Sequence, residues 1–197
     1  MISDNPEKIL PVRFKLDPFD RPDGEVVRFT MYREVIELQS DRPLPFGYRP
    51  EPWTAQVLPA FAAVLAVAFS DSPDLEYYPK LSSKDGCVEI LEEISESAGF
   101  LPGASWLVLF NREPAAIVLS SRAVQGLMSR VNIVAVAPRH RRVKVGTHLL
   151  NKAMWAVRDR RIPGTMLRIN RNNRVGIRFF RSAGFQVSSS DTYLQSI

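Results

Sequence analysis

The stretch VAVAPRHRRVKVGTHLL, residues 134–150, decides the fold. Its apolar start reads as the end of a strand, and Pro138 stops that strand. Arg139, Arg141, Arg142 and Lys144 follow at once, and a helix opens near Gly146. That helix carries Leu149, Leu150, Ala153, Met154 and Val157 on one face. The first N–H groups of a helix have no partner within it and suit a phosphate. The cations add charge at the same place, and Gly146 allows a close backbone approach. Strand, basic loop and helix start together predict an anion site.

Upstream, VNIVAV (131–136) completes the strand, and WLVLF (106–110) with AAIVL (115–119) predicts a hairpin across Asn111–Pro114. Ser82, with Asp85 three residues on, predicts the start of a helix through Val88, Ile90, Leu91 and Ile94, ended by Gly99. The apolar run Val57–Phe69 contains Pro59 and is too short to span a bilayer, so it reads as a buried core helix. Val26–Leu38 reads as a first strand. The prolines at 43, 45, 50 and 52 predict an irregular connection after it. Downstream, MLRIN (166–170) is a short strand, Asn172 or Asn173 caps a helix ending at Gly184, and a last strand starts at Phe185. This order predicts an α/β (α+β) fold with a mixed, mostly antiparallel central sheet and helices on both faces. Residues 1–25 read as an N-terminal extension and 26–197 as a single domain.

The 197 residues carry a net charge of +5, unevenly spread. Residues 139–197 hold 13 Lys and Arg against Asp159 and Asp191, whereas residues 1–138 hold 13 against 19 Asp and Glu. An anionic ligand near the C-terminal half follows. Nucleic acid is the less favoured anion, because Trp155, Phe179 and Phe180 occupy helix positions of core type rather than stacking platforms. The single cysteine, Cys87, excludes an internal disulfide and reads as a buried structural residue. With no signal-like N-terminus and no membrane span, a cytoplasmic setting is expected.

Two motifs resemble the GNAT superfamily of acetyl-CoA-dependent N-acetyltransferases. The first is Val136-Ala137-Pro138 followed by Arg141-Arg142-Val143-Lys144-Val145-Gly146, similar to V-x-P and then [Q/R]-x-x-G-x-[G/A]. The second, from Asn173 to Phe185, is similar to N-x-x-A-x-x-[LF]-Y-x-x-x-G-F. The resemblance covers residues 106–195 and implies a GNAT-like acyl-CoA N-acyltransferase fold. It implies an opening between the strands at 131–136 and 166–170, with the pantetheine arm of acetyl-CoA along Val134 and Val136. The pyrophosphate would lie on Arg141, Arg142, Val143, Lys144, Val145, Gly146 and Thr147, with Asn173 and Phe180 lining the far side. A small-molecule or peptide amine would be the acceptor, with no metal and no membrane involved; dimerisation, common in such folds, is left open.

Three departures bear on chemistry. Lys144 stands where the family has a glycine. Phe180 replaces the tyrosine that protonates the leaving thiolate, which leaves Tyr193 as a substitute proton donor. No carboxylate lies between Glu113 and Asp159, so a base would come from Glu76, Glu113 or a water chain. Phe180 and Lys144 also leave open a CoA-binding protein of the same fold without catalysis. His140 reads as a solvated loop residue and His148 as a surface one. Asp71, Asp74, Glu76, Tyr77 and Tyr78 read equally as an acceptor site and as a polar loop.

Overall fold

Asn111 and Arg112 both adopt left-handed backbone (φ 49° and 72°) in the computed structural model, which describes residues 28–35, 38, 43–123 and 128–189. Two such residues form the tight turn whose twist matches paired strands. They join β3 (Trp106–Phe110) to β4 (Glu113–Arg122). The strand therefore starts earlier than the apolar run, at Glu113. Pro114 is accommodated because Val108 faces Ala116 while Leu109 faces Pro114, a bulge that leaves Ala115 unopposed.

β5 (Ser129–Val136) pairs antiparallel with β4, and α3 (Val145–Asp159) returns the chain to β6 (Gly164–Asn170), parallel to β5. β1 (Arg28–Glu34) lies antiparallel between β6 and β7 (Gln186–Ser189). One strand was not expected: β2 (Tyr48–Pro52) pairs with β3 through the Pro-rich connection. Edge position explains this, since an edge strand need not donate from every N–H and so tolerates Pro50 and Pro52. The sheet order is β2-β3-β4-β5-β6-β1-β7, with β5 and β6 the parallel neighbours.

Helices α1 (Leu58–Phe69) and α2 (Lys84–Ser95) cover one face, where Phe61, Leu65 and Leu91 pack on Leu107, Ile117, Leu119 and Ile133. Pro59 sits in the first turn of α1, where its missing N–H costs nothing. On the other face α3 and α4 (Arg174–Ser182) set Leu149, Leu150, Met154 and Ile177 against Val108, Val118, Leu167 and Ile169. Each fully buried side chain of this size contributes roughly 1.5–3 kcal/mol. The expected mixed sheet with helices on both faces is what the chain forms. Residues 1–25 and Tyr193 lie outside the described residues.

The helix caps refine the sequence expectations. Asn173 caps α4, its side chain accepting from the Gly176 N–H, and Gly184 (φ 84°) follows the helix end. Ser83, not Ser82, caps α2, because its side chain accepts from the Gly86 N–H at 3.1 Å while the Ser82 hydroxyl donates to the Pro79 carbonyl. Ser83→Ala is expected to lower stability by about 1 kcal/mol, and Ser82→Ala by less than about 0.5 kcal/mol. Urea unfolding of the two variants checks this.

Candidate active site

Parallel pairing between β5 and β6 spans two residue pairs only, Ser129 with Thr165 and Arg130 with Met166. Beyond them β5 carries a bulge: Leu119 faces Ile133 and Ser120 faces Val131, so Asn132 has no opposite number on β4. A bulge bends its strand, and from here the two strands part. A cleft of about 820 Å³ fills the fork.

The edge of β5 that faces the fork is polar backbone. Ala137 donates its N–H to the Ala115 carbonyl on the β4 side. By strand alternation Ala135 and Ile133 also turn their backbone groups towards β4, and Val134 and Val136 turn theirs towards the fork. The Val136 carbonyl confirms the direction, for it accepts from Arg141 Nε at 3.2 Å. Val134 and Val136 both line the cleft.

The loop to α3 alternates in hand. Arg142 (φ 67°) and Lys144 (φ 65°) are left-handed, and Val145 begins the helix. Such alternation makes a concave row of N–H groups suited to an anion. Val145, Gly146 and Thr147 precede the first helical hydrogen bond, from the His148 N–H to the Lys144 carbonyl. Lys144 thus adopts the backbone that a glycine reaches without strain, with its side chain exposed. Gly146 is buried, and a Cβ there would lie 3.2 Å from Val136 Cγ2 and 3.5 Å from the Phe179 ring. Its smallness therefore seats the helix start against β5 and α4, a second role besides admitting a ligand.

Of the loop cations, Arg142 and Lys144 are exposed on the cleft lining. Arg141 also lines it, but its guanidinium is tied to the carbonyls of Val136 and Ala68, joining β5 to the end of α1. Val145, Gly146, Thr147, Asn173 and Phe180 line the same cleft, whereas exposed Val143 is not among its walls. The Phe180 ring packs against Phe179 and Phe185, at 5.0 and 5.6 Å between centroids. Glu113 stands apart, exposed at the hairpin beside a separate hollow with Phe110, Arg139 and His140.

Asp74, one of five residues that the sequence read equally as an acceptor site and as a polar loop, is a polar anchor. It accepts from the Asn170 N–H at 3.1 Å, from Asn173 Nδ2 at 2.6 Å and from the Ser72 hydroxyl at 3.0 Å. The end of β6, the start of α4 and the segment after α1 are thereby joined at one carboxylate. Glu76 accepts from Asn170 Nδ2 at 3.3 Å. Arg28 stacks on the Tyr77 ring and donates to the Tyr78 hydroxyl at 2.9 Å. Only the spacing of Asp74 and Asn173, far apart in sequence, concealed this cluster.

The histidines correct the sequence reading. His148 is buried on the inner face of α3, one turn from Val145. His140 is buried too: Nδ1 lies 2.9 Å from the Tyr48 hydroxyl, and Arg139 Nε donates to Nε2 at 2.9 Å. Burial first, and then the Arg139 charge, push its pKa below the ordinary 6.5. Cys87 is fully buried, and burial pushes its thiol up to about 11, as a structural cysteine requires.

His140 gives the fold a pH dependence of definite sign. Below pH 6.5 the unfolded chain takes up a proton that the folded His140 still refuses, so stability falls as pH drops from 6.5 through the lowered value. Denaturant titrations between pH 7.5 and about 5 are expected to show that slope, and His140→Gln is expected to remove its share of it.

A family model described as the acetyltransferase (GNAT) family matches residues 69–185. No curated protein matches the sequence. Among solved structures, a GCN5-related N-acetyltransferase from Sphaerobacter thermophilus is similar at TM-score 0.63 and 15% identity, over 81% of this chain and 48% of that one. The chain thus spans about half the length of that protein. PaiA N-acetyltransferase from Thermoplasma acidophilum, solved in complex with coenzyme A, has TM-score 0.59 and 16% identity over 74% of this chain and 93% of that one. The ribosomal-protein-S18-alanine N-acetyltransferase from Escherichia coli has TM-score 0.56 and 16% identity, over 72% and 79%. At such identities the likeness is one of fold. With the family match extending over more than half of its length, this chain belongs to the GNAT acetyltransferase family.

Proposed function

We propose that this protein transfers an acetyl group from acetyl-CoA to a primary amine by direct attack on the thioester. The observation that carries the proposal is the fork itself. The backbone groups of Val134 and Val136 face a cleft where β6 has withdrawn, and the unbonded N–H groups at the start of α3 stand at its end. Buried backbone groups seek partners. The two amides of a pantetheine arm supply them at strand spacing, and its pyrophosphate suits the helix start. Arg142 and Lys144 add charge there, and Arg178 of α4 lines the same cleft.

Proton traffic follows from what the cleft offers. Glu113 lies outside it and Glu76 serves Asn170, so the acceptor amine releases its proton to water. Tyr78 is the tyrosine lining the cleft among the described residues, and Phe180 has no hydroxyl to give. We assign the Tyr78 hydroxyl, whose oxygen accepts from Arg28, as the donor of a proton to the leaving thiolate. The amine nitrogen forms the new C–N bond, the C–S bond breaks, and the sulfur takes that proton. Water then restores the phenol. No helix among the described residues is long and apolar enough to cross a membrane, and we place the reaction in the cytoplasm.

Isothermal titration with acetyl-CoA tests the binding half. Arg142→Ala combined with Lys144→Ala is expected to weaken it about a hundredfold, the loss of two charge-assisted contacts. Thiol release with an amine panel tests the chemistry, where Tyr78→Phe is expected to lower kcat about a hundredfold and leave acetyl-CoA binding unchanged. Binding without thiol release for any amine would favour a CoA-binding protein without catalysis.

A further inference from the structure

The cleft does not end at the β5 edge. Its walls continue beneath α1 and α2, where Phe69, Tyr78, Leu81, Ile90, Ile94 and Ile133 border it. Phe69 ends α1, Tyr78 and Leu81 lie in the segment before α2, and Ile133 is on β5. Ile90 and Ile94 stand one turn apart on α2 and so share a side of that helix. All these residues form or pack against the apolar cluster that covers this face of the sheet. Leu81 and Ile94 are almost wholly buried and yet border the cleft, so the hollow reaches into that cluster.

Strand alternation sets this apolar end beside the reacting atoms. Ile133 and Ala135 turn their side chains into the cluster under α1 and α2, and they flank Val134, whose backbone faces the fork. Tyr78, assigned above as the proton donor to the thiolate, is a wall of the same end. The contribution of α2 is selective. This helix carries Lys84, Asp85, Glu89, Glu92 and Glu93, yet Ile90 and Ile94 are the residues that it gives to the cleft. The charged residues of the cleft border it from the strands, the basic loop, α4 and the segment after α1.

We propose that the acceptor is a primary amine with an apolar body, alkyl or aryl, which lies against Leu81, Ile90 and Ile94 while its nitrogen faces the thioester. The proposal rests on the acetyl-transfer reading above. In that reading the pantetheine arm takes the β5 edge and the pyrophosphate takes the start of α3. The α1–α2 side of the cleft is then left for the acceptor. Hydrocarbon gains by leaving water for a concave apolar wall. Hydroxyls or a second ammonium along the acceptor would lie against three aliphatic side chains that return no hydrogen bond. A longer acyl chain on the donor is the other source of hydrocarbon, and the experiment separates the two.

Titration of the CoA-saturated protein with ethylamine, butylamine and hexylamine reads acceptor binding apart from turnover. Affinity is expected to rise about fourfold with each added methylene. Aminohexanol and hexanediamine are expected to bind at least roughly tenfold more weakly than hexylamine. Ile90→Trp, which fills the hollow from α2, is expected to cancel the gain from ethylamine to hexylamine. A general loss of folding lowers all these affinities and leaves their ratio alone, so the ratio reports the site. With acetyl-CoA, butanoyl-CoA and hexanoyl-CoA titrated in turn, no gain with acyl length is expected. Affinity that does not rise with amine length, or that rises with acyl length in its place, would overturn the proposal. Amines that bind with the expected gradient yet release no thiol from acetyl-CoA would contradict acetyl transfer instead.

Discussion

The parting of β5 from β6 after two residue pairs is the constraint on which the site depends. A parallel strand pair left half made exposes backbone N–H and C=O groups that neither water-free packing nor a neighbouring strand satisfies. The bulge at Asn132 bends β5 at that point, and the side chain of Asn132 exchanges hydrogen bonds with the Ser121 hydroxyl on β4. This divergence opens the edge of Val134 and Val136 to the cleft and sets the helix start beyond Pro138 at its end.

Two packing arrangements hold the fork open. On one side Gly146 lets α3 press against Val136 and Phe179. On the other, Asp74 fastens the segment after α1 to the end of β6 and to the cap of α4. Arg141 adds a third tie between β5 and α1. A cleft bounded by three such links is preorganised, so binding energy need not be used to assemble it. The left-handed backbone at Lys144 belongs to the same economy, since a non-glycine residue in that conformation costs on the order of 1 kcal/mol, which the surrounding packing sustains.

Much of this was legible in the sequence because it was local. The strand-loop-helix of residues 134–150 and the cap at Asn173 are contiguous signals whose physics is complete within a few residues. What was not legible depended on distant pairing. The strand at Tyr48–Pro52 forms because β3 offers an edge, against the local evidence of its prolines. His140 is buried because Tyr48 and Phe110, both remote in sequence, close over it. The role of Asp74 appears only when the fold brings the segment after α1 beside the end of β6 and the start of α4. Ser82 and Ser83 offered the same capping chemistry one residue apart, and only geometry separates them.

The most direct test of the central claim is amide hydrogen exchange at Val134 and Val136 with and without acetyl-CoA. If the exposed edge of β5 is what receives the pantetheine arm, these amides exchange markedly more slowly in the bound protein, while Ala135, already turned to β4, changes little. Saturating acetyl-CoA that leaves exchange at Val134 and Val136 unaltered would contradict the account, because the fork would then be a feature of the fold and not the place where the acyl donor is held.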